Sequence, residues 1–244
     1  MRGDGAMYRG EIVLHRLIGG ARAAEGLAVI IDVFRAFSLE CVLYGLGARE
    51  VRPVGTVEEA RAWRDRDPDC LLAGERKGVM CEGFDFGNSP SALRAEAVAG
   101  RRVIHTTSAG TQGLVNAVRA DAILTGSLLN ARAIAEYIRQ TDPPKVSLVC
   151  MGRYGATPAE EDELCALYLR SLLLEQPLPD LAARLDALRT GGGSHFFDPA
   201  RQAVFPEADF WMCVRRDVYP FVLRVERDAD GLVSRRIDVP EAGS

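Results

Sequence analysis

Zinc-ligand spacing is absent: the six cysteines include no Cys-x-x-Cys pair, and the three histidines, His15, His105 and His195, form no His-x-x-x-His pair. A zinc site built on nitrogen and sulfur is therefore not expected. Most cysteines sit in apolar contexts, as small buried hydrophobes do. Cys81 and Cys150 fall near loops of interest, but a structural role is expected for both. There is no stretch of eighteen apolar residues, so no membrane span is expected. Met1-Arg2-Gly3-Asp4-Gly5 lacks the apolar centre of a signal peptide, which points to the cytoplasm. A basic run is also missing: 30 Lys and Arg are scattered among 34 Asp and Glu, for a formal net charge of -4, so nucleic acid is not an expected partner. Neither a low-complexity tract nor a repeat of fixed period occurs.

With 244 residues, 48% of them hydrophobic, the chain can bury a sizeable core. Leu27-Ala28-Val29-Ile30-Ile31 is a continuous apolar run, as in a central parallel strand covered on both faces. Ile12-Val13-Leu14 reads as a peripheral strand ahead of a Gly/Ala-rich connection. Further strands are expected at 50–54, 70–73, 102–105, 122–125 and 145–150. Helical segments follow them: 39–46 stopping at Gly47, 56–66 opened by the capping box Thr56-Val57-Glu58-Glu59, 90–98, 111–118, 130–140 and 158–174. Another helix fits 178–188, before a flexible break at Gly191-Gly192-Gly193-Ser194. Strand–helix alternation predicts an α/β fold with three α/β/α layers and a mostly parallel sheet, as one unit over 1–244 or as two lobes around a cleft. Residues 1–10 read as a loose tail. Segments 221–226 and 232–237 read as a hairpin turning at Asp230-Gly231, expected at the sheet's edge.

The stretch from Gly74 to Pro90 has four glycines, three carboxylates and two cations, and neither a strand nor a helix period. It reads as a long loop leaving the carboxyl end of a strand, where open α/β sheets place their ligand crevice. Asn88-Ser89-Pro90 ends it as a helix start, with Ser89 as N-cap. The plainer reading is a solvated surface loop, yet comparable polar junctions follow other strands. Asp32 directly follows the central strand and suits a divalent cation or attack on phosphorus, although a strand-end Asp is often only a cap. Arg35 could hold an anion in its planar fork. Thr106-Thr107-Ser108-Ala109-Gly110-Thr111 sets hydroxyls ahead of a helix, as an anion cradle or as simple caps. It is not a Walker A loop. In 152–162, Arg153 precedes Glu160-Glu161-Asp162, which either complement the helix dipole or help to hold a cation. Arg35, Arg76 and Arg153 with these carboxylates would suit an enzyme handling a small, multiply anionic phosphate ester with Mg²⁺.

These residues also carry a resemblance. Val29-Ile30-Ile31-Asp32-Val33-Phe34-Arg35-Ala36, Gly74-Glu75-Arg76-Lys77-Gly78, Gly83-Phe84-Asp85-Phe86-Gly87-Asn88-Ser89-Pro90, the 106–111 segment and the 152–162 segment resemble the 2-phosphosulfolactate phosphatases of coenzyme M biosynthesis. The resemblance implies an α/β/α fold, dependence on Mg²⁺ and release of phosphate from a 2-phospho-3-sulfo acid. Two departures stand out. Phe37 occupies a position where the family commonly has a small hydroxyl, and it is expected to narrow the site beside Arg35. The hydroxyl-rich segment is one residue longer than usual.

The resulting expectations are specific. Asp32, Arg35, Glu75 and Arg76 are the candidate catalytic residues. Asn88, Ser89, Thr106, Thr107, Ser108 and Arg153 are the candidate substrate-binding residues, and Asp32, Glu75, Asp85, Glu161 and Asp162 the candidate Mg²⁺ ligands. The expected partner is a small anionic phosphate ester, and a homodimer is compatible with such a fold. A haloacid-dehalogenase-type phosphatase is excluded because the second Asp of that motif is here Phe34. The alternative is a non-catalytic anion-binding or regulatory protein on the same fold, which would need no metal carboxylates.

Overall fold

The computed structural model describes residues 7–240. Residues 1–6 of the expected loose tail lie outside that range. Tyr8, at the end of that stretch, is buried: its N–H donates to Leu173 O at 2.9 Å and its hydroxyl to Pro143 O at 2.6 Å. The chain is therefore tied down before its first strand.

Strand β1 (Glu11–Arg16) leads into α1 (Leu17–Ala23), so the Gly/Ala-rich connection is a helix, with Ala21 buried against the sheet. Next come β2 (Gly26–Ile31), α2 (Ala36–Gly45), β3 (Glu50–Pro53) and α3 (Val57–Arg66). Thr56 and Glu59 cap α3 reciprocally, as the sequence predicts. A tight hairpin of β4 (Leu71–Arg76) and β5 (Val79–Met80) follows. The 74–90 stretch therefore begins as paired strand, with Glu75 opposite Met80 and Arg76 opposite Val79. Pro90 opens a 3₁₀ turn over Pro90–Ala92, and the expected 90–98 helix resumes only as α4 (Ala95–Val98). Then come β6 (Arg102–Thr106), α5 (Gly110–Asn116), β7 (Ala120–Gly126), α6 (Ala131–Thr141), β8 (Lys145–Cys150) and α7 (Glu160–Leu173). Two short helices, α8 (Leu181–Ala187) and α9 (Glu207–Cys213), precede the hairpin β9 (Phe221–Asp228) and β10 (Gly231–Asp238).

All ten strands form one sheet in the order β1-β8-β2-β7-β9-β10-β3-β6-β4-β5. The blocks β1-β8-β2-β7 and β3-β6-β4 are each parallel within themselves. Alternation along the strands builds the layers. Leu27, Val29 and Ile31 pack with residues of α6 and α7, whereas Ala28 and Ile30 pack with Ala21 and Leu114 of α1 and α5. In the second block Leu71, Ala73 and Val103 pack with α2, and Leu72 and Ile104 pack with Ala60 and Trp63 of α3. Ile30 and Ile31 are fully buried, each contributing about 1.5–3 kcal/mol relative to exposure. That is why the run is continuous rather than alternating.

The C-terminal hairpin is present, but it does not lie at the edge. It sits in the middle and joins the two parallel blocks. Phe221, Val222 and Leu223 are buried with neighbours on both faces, which an edge strand of a half-exposed hairpin would not allow. The join to β3 is narrow, with Ser234 opposite Val51 as its one registered pair. Tyr44 of α2 inserts its hydroxyl there: it accepts from Val51 N–H at 3.0 Å and donates to the Ser234 carbonyl. Arg52 adds a two-pronged pair, with Nη1 donating to Asp228 Oδ1 at 3.0 Å and Nη2 to Oδ2 at 2.7 Å.

Tyr44→Phe would leave Val51 N–H and Ser234 C=O buried without their shared partner. We expect a loss of about 1–3 kcal/mol in urea denaturation with the secondary structure retained. Unchanged stability would show that the seam does not depend on the hydroxyl.

Candidate active site

The carboxyl ends of β2 and β8, the turn of the β4–β5 hairpin and the segment 194–205 surround a cavity of about 260 Å³. Of the expected residues, Asp32, Arg35, Glu75, Asn88, Arg153, Glu161 and Asp162 line it. Ser89, Arg76, Thr106, Thr107, Ser108 and Asp85 are not among its lining residues.

Asp32 ends β2 at the mouth of α5. Its Oδ1 accepts from Ala36 N–H at 3.1 Å. The start of α5 comes so close that a Cβ on Gly110 would lie 2.9 Å from Asp32 Oδ2 and 2.8 Å from the Ala36 Cβ, so only glycine fits there. Burial pushes the Asp32 carboxyl up to about 6, opposed by the Ala36 N–H and reinforced by the charge of Glu75.

The first turn of α7 divides four adjacent carboxylates among different tasks. Glu160 accepts from Gly192 N–H at 3.0 Å, and Glu163 pairs with Arg16 at 2.6 Å. Asp162 holds two loops together: Oδ1 accepts from Val33 N–H at 2.8 Å and Oδ2 from Gly152 N–H at 2.7 Å. Glu161 faces the cavity, and its Oε2 is buried without a hydrogen-bond partner among the described residues. Burial and the charge of Asp32 push Glu161 up to about 7, with Arg153 pulling the other way. Burial, Asp32 and Glu161 likewise push Asp162 up, against the two N–H donors.

Glu75 occupies the position that the sequence reserves for a substrate anion. Its Oε1 accepts from Ser108 N–H at 2.6 Å, and its Oε2 accepts from Gly78 N–H at 2.6 Å and from Ser108 Oγ at 3.1 Å. Thr107 Oγ1 accepts from Thr111 N–H, and Thr106 Oγ1 accepts from Arg76 Nη2 at 2.9 Å. The hydroxyl-rich segment thus holds Glu75 and Arg76 rather than opening toward the cavity. Asp85 lies elsewhere, accepting from Leu72 N–H at 2.7 Å and from Arg64.

Arg35 touches the cavity but is committed. Its Nη1 donates to Asp209 Oδ2 at 2.7 Å and to Val204 O at 2.8 Å, and its guanidinium lies 4.8 Å from the Phe205 ring centre. Asp209 also accepts from Ser89 Oγ at 2.9 Å and from Ser91 N–H at 3.0 Å, so Ser89 braces that pair rather than capping a helix. Phe37 does not narrow the cavity either. It is fully buried in the cluster with Ala36, Ala109 and Leu114 beneath α5.

The 194–209 segment contributes residues for which the sequence holds no motif: His195, Arg201, Phe205 and Asp209. The one available hint was Gly191-Gly192-Gly193, a break placed before a Ser-His pair. Burial and the neighbouring Arg153, Arg201 and Arg35 hold His195 down at about 4, so it is a neutral imidazole near pH 7. Arg153 and Arg201 line the cavity, and neither has an ion pair with a described carboxylate.

No three His, Cys, Asp or Glu side chains converge as a ready-made metal cage among the described residues. The donor set nevertheless fits a hard divalent cation: Asp32 and the orphaned Glu161 Oε2 offer carboxylate oxygen. Mg²⁺ typically takes one or two carboxylates, with waters and substrate phosphate filling the rest. No described helix is long and apolar enough to cross a membrane.

The sequence profile of the family described as 2-phosphosulpholactate phosphatase matches residues 14–228. A protein of Caldicellulosiruptor saccharolyticus named "Probable 2-phosphosulfolactate phosphatase" is 38% identical over 161 residues, covering 64% of this chain and 66%, just under two thirds, of its own length. A Bacillus subtilis protein of the same name is 27% identical over 210 residues, covering 85% of this chain and 90% of its own. A Deinococcus radiodurans protein, again so named, is 37% identical over 170 residues, covering 68% and 71%.

The crowded carboxylates set a pH dependence. Asp32 and Glu161 rise from ordinary values of 3.8 and 4.5 to about 6 and about 7, so between those limits the folded state binds more protons than the unfolded. Their contribution is then present at low pH and lost as pH rises through the folded values. In chelator, the melting temperature of the wild type relative to Glu161→Gln is expected to fall between about pH 5 and about pH 8. A difference that rises over that window would contradict the buried-carboxylate assignment.

Proposed function

The chain belongs to the 2-phosphosulpholactate phosphatase family, and from that membership we propose that it is a phosphoric monoester hydrolase for a small 2-phospho acid, 2-phosphosulfolactate foremost, releasing sulfolactate and phosphate. The observation that carries this reading is the pairing, in one cavity, of an orphaned buried carboxylate oxygen on Glu161 with two unpaired arginines, Arg153 and Arg201. A purely anion-binding protein would use the arginines but would gain nothing from Glu161, whose burial without a partner is costly. A bound divalent cation would offset that cost.

Asp32 and Glu161 are the residues that would hold Mg²⁺, which when bound supplies charge neutralisation and polarises the phosphoryl oxygens. The remaining work falls to the chain itself. Arg153 and Arg201 bind the substrate's anionic groups. Arg35 contributes indirectly, because its charge is spent on Asp209 and it shapes the wall through Gly78 and Phe205. Asn88 orients the ester, and His195, neutral near pH 7, lines the wall without adding charge. Glu75 keeps the 76–78 turn and Ser108 in place.

Charge and size favour a compact polyanion. A phosphate monoester of about -2 with a neighbouring carboxylate and sulfonate carries about four negative charges, and two arginines with one divalent cation supply as many positive ones before the carboxylates of Asp32 and Glu161 are counted. The cavity is small beside the roughly 300–1,000 Å³ of typical ligand pockets, which disfavours nucleotides.

Steady-state assays test this reading. Asp32→Asn is expected to lower kcat by about a hundredfold or more with the fold intact, and EDTA to abolish turnover until Mg²⁺ is restored. Arg201→Ala is expected to raise KM about tenfold or more, since it removes a charge-assisted contact made in ground and transition states alike. In a panel of 2-phosphosulfolactate, phospholactate, phosphoglycerate and nucleoside monophosphates, a preference for the nucleotides would sink the substrate assignment.

A further inference from the structure

Asn88 has two sides. One faces the cavity, and the other meets His105 on β6. His105 and Glu40 of α2 are both fully buried, and neither lines the cavity. His105 Nδ1 lies 3.0 Å from Glu40 Oε1, and Nε2 lies 3.3 Å from Asn88 Oδ1. The second oxygen of Glu40 accepts from Ser234 Oγ at 3.3 Å. A buried polar chain of this kind is expensive, and well-packed apolar side chains would often be at least as stable in the same space. Core packing therefore does not explain it.

Hydrogen-bond inventory does. A carboxylate only accepts, so Nδ1 donates to Glu40. The Asn88 oxygen also accepts, so Nε2 donates to it, and a ring that donates from both nitrogens is the imidazolium, here paired with the Glu40 carboxylate. Once that oxygen is engaged, the two hydrogens on Nδ2 must point away from His105. Among the described residues Nδ2 has no protein partner and is not sealed in the interior.

We propose that His105, braced by Glu40, is a positioning residue that locks the Asn88 carboxamide with its Nδ2 hydrogens toward the cavity, as a donor to an anionic oxygen of the substrate. The proposal rests on the reading of the cavity as a phosphate-ester site. An unlocked Asn88 could turn over and present its oxygen, which repels phosphate. His105 thus sets the sign of what Asn88 offers while never touching substrate.

Calorimetric titration of the full chain with inorganic phosphate in the presence of Mg²⁺ tests this, with thermal melts to verify folding. Asn88→Ala and His105→Phe are each expected to weaken phosphate binding about tenfold, and the double variant no further than either alone, because both remove one donor. His105→Gln, which keeps an N–H facing Asn88, is expected to recover part of the loss. Losses that multiply in the double variant, or wild-type affinity in His105→Phe, would overturn the proposal. Should His105→Phe fail to fold, Glu40→Gln serves instead. It is expected to weaken binding in the wild-type background and to have no effect in the Asn88→Ala background; equal losses in both would overturn the proposal. A wild-type protein that binds no phosphate would strike the phosphatase reading itself, a different failure from additive losses.

Discussion

The buried pair of Arg35 and Asp209 is the interaction on which the cavity's walls depend. Arg35 leaves the turn after β2, and Asp209 sits on α9, 174 residues later. Between them they also bind Gly78 O on the β4–β5 turn, Val204 O on the cover and Ser89 and Ser91 ahead of α4. Four chain segments distant in sequence meet at two side chains. Both are almost inaccessible, so removing either partner would leave an uncompensated buried charge, typically a loss of about 3–5 kcal/mol. The Phe205 and Phe196 rings close over the guanidinium and exclude water from the pair.

That arrangement leaves the negative side of the cavity in excess. Asp32, Glu75 and Glu161 approach one another at the carboxyl end of the sheet, and Arg35 is not available to balance them. The fold resolves Glu75 and Asp162 locally, by giving each carboxylate backbone N–H donors. Glu161 receives no such donor at Oε2. On the proposed reading that group is satisfied from outside the chain, and Arg153 and Arg201, which have no ion pair with a described carboxylate, set the charge of what arrives beside it. On that reading, preference for a small polyanion would follow from which charges the fold neutralises internally and which it leaves open.

How much of this could be read from the sequence differs by element. The continuous run 27–31 and the Thr56–Glu59 box encode their own structure, because burial on both faces and reciprocal capping are local properties. Asp32 lines the cavity as its place after the central strand suggested, and it also caps Ala36 N–H, the other reading of that position. Residue type alone could not divide Glu160, Glu161 and Asp162, which differ only in the face of α7 they occupy and in what that face meets. The hydroxyls of 106–108 read as an anion cradle, but only Ser108 meets an anion, the Glu75 carboxylate supplied by another strand, while Thr106 accepts from Arg76 and Thr107 from Thr111 N–H. Arg201 and Asp209 carried no local signal at all, since their roles exist only once the 194–209 segment folds back over the cavity.

The hairpin β9–β10 failed to declare its place for a related reason. Its pattern of apolar residues implies burial, but whether the burial is at an edge or in the centre depends on which strands flank it. Central placement has a consequence for the site. Tyr44 and Glu40, one turn apart on α2, reach Ser234 across 190 and 194 residues of chain. Glu40 continues to His105 and so to Asn88. The seam between the two parallel blocks and the orientation of a cavity amide are therefore held by the same helix. Contacts of such sequence separation form late and cooperatively, because loop closure must be met before they contribute. On the proposed reading, the β9–β10 hairpin therefore supports the site as well as the sheet, through the contacts of Ser234 with Tyr44 and Glu40.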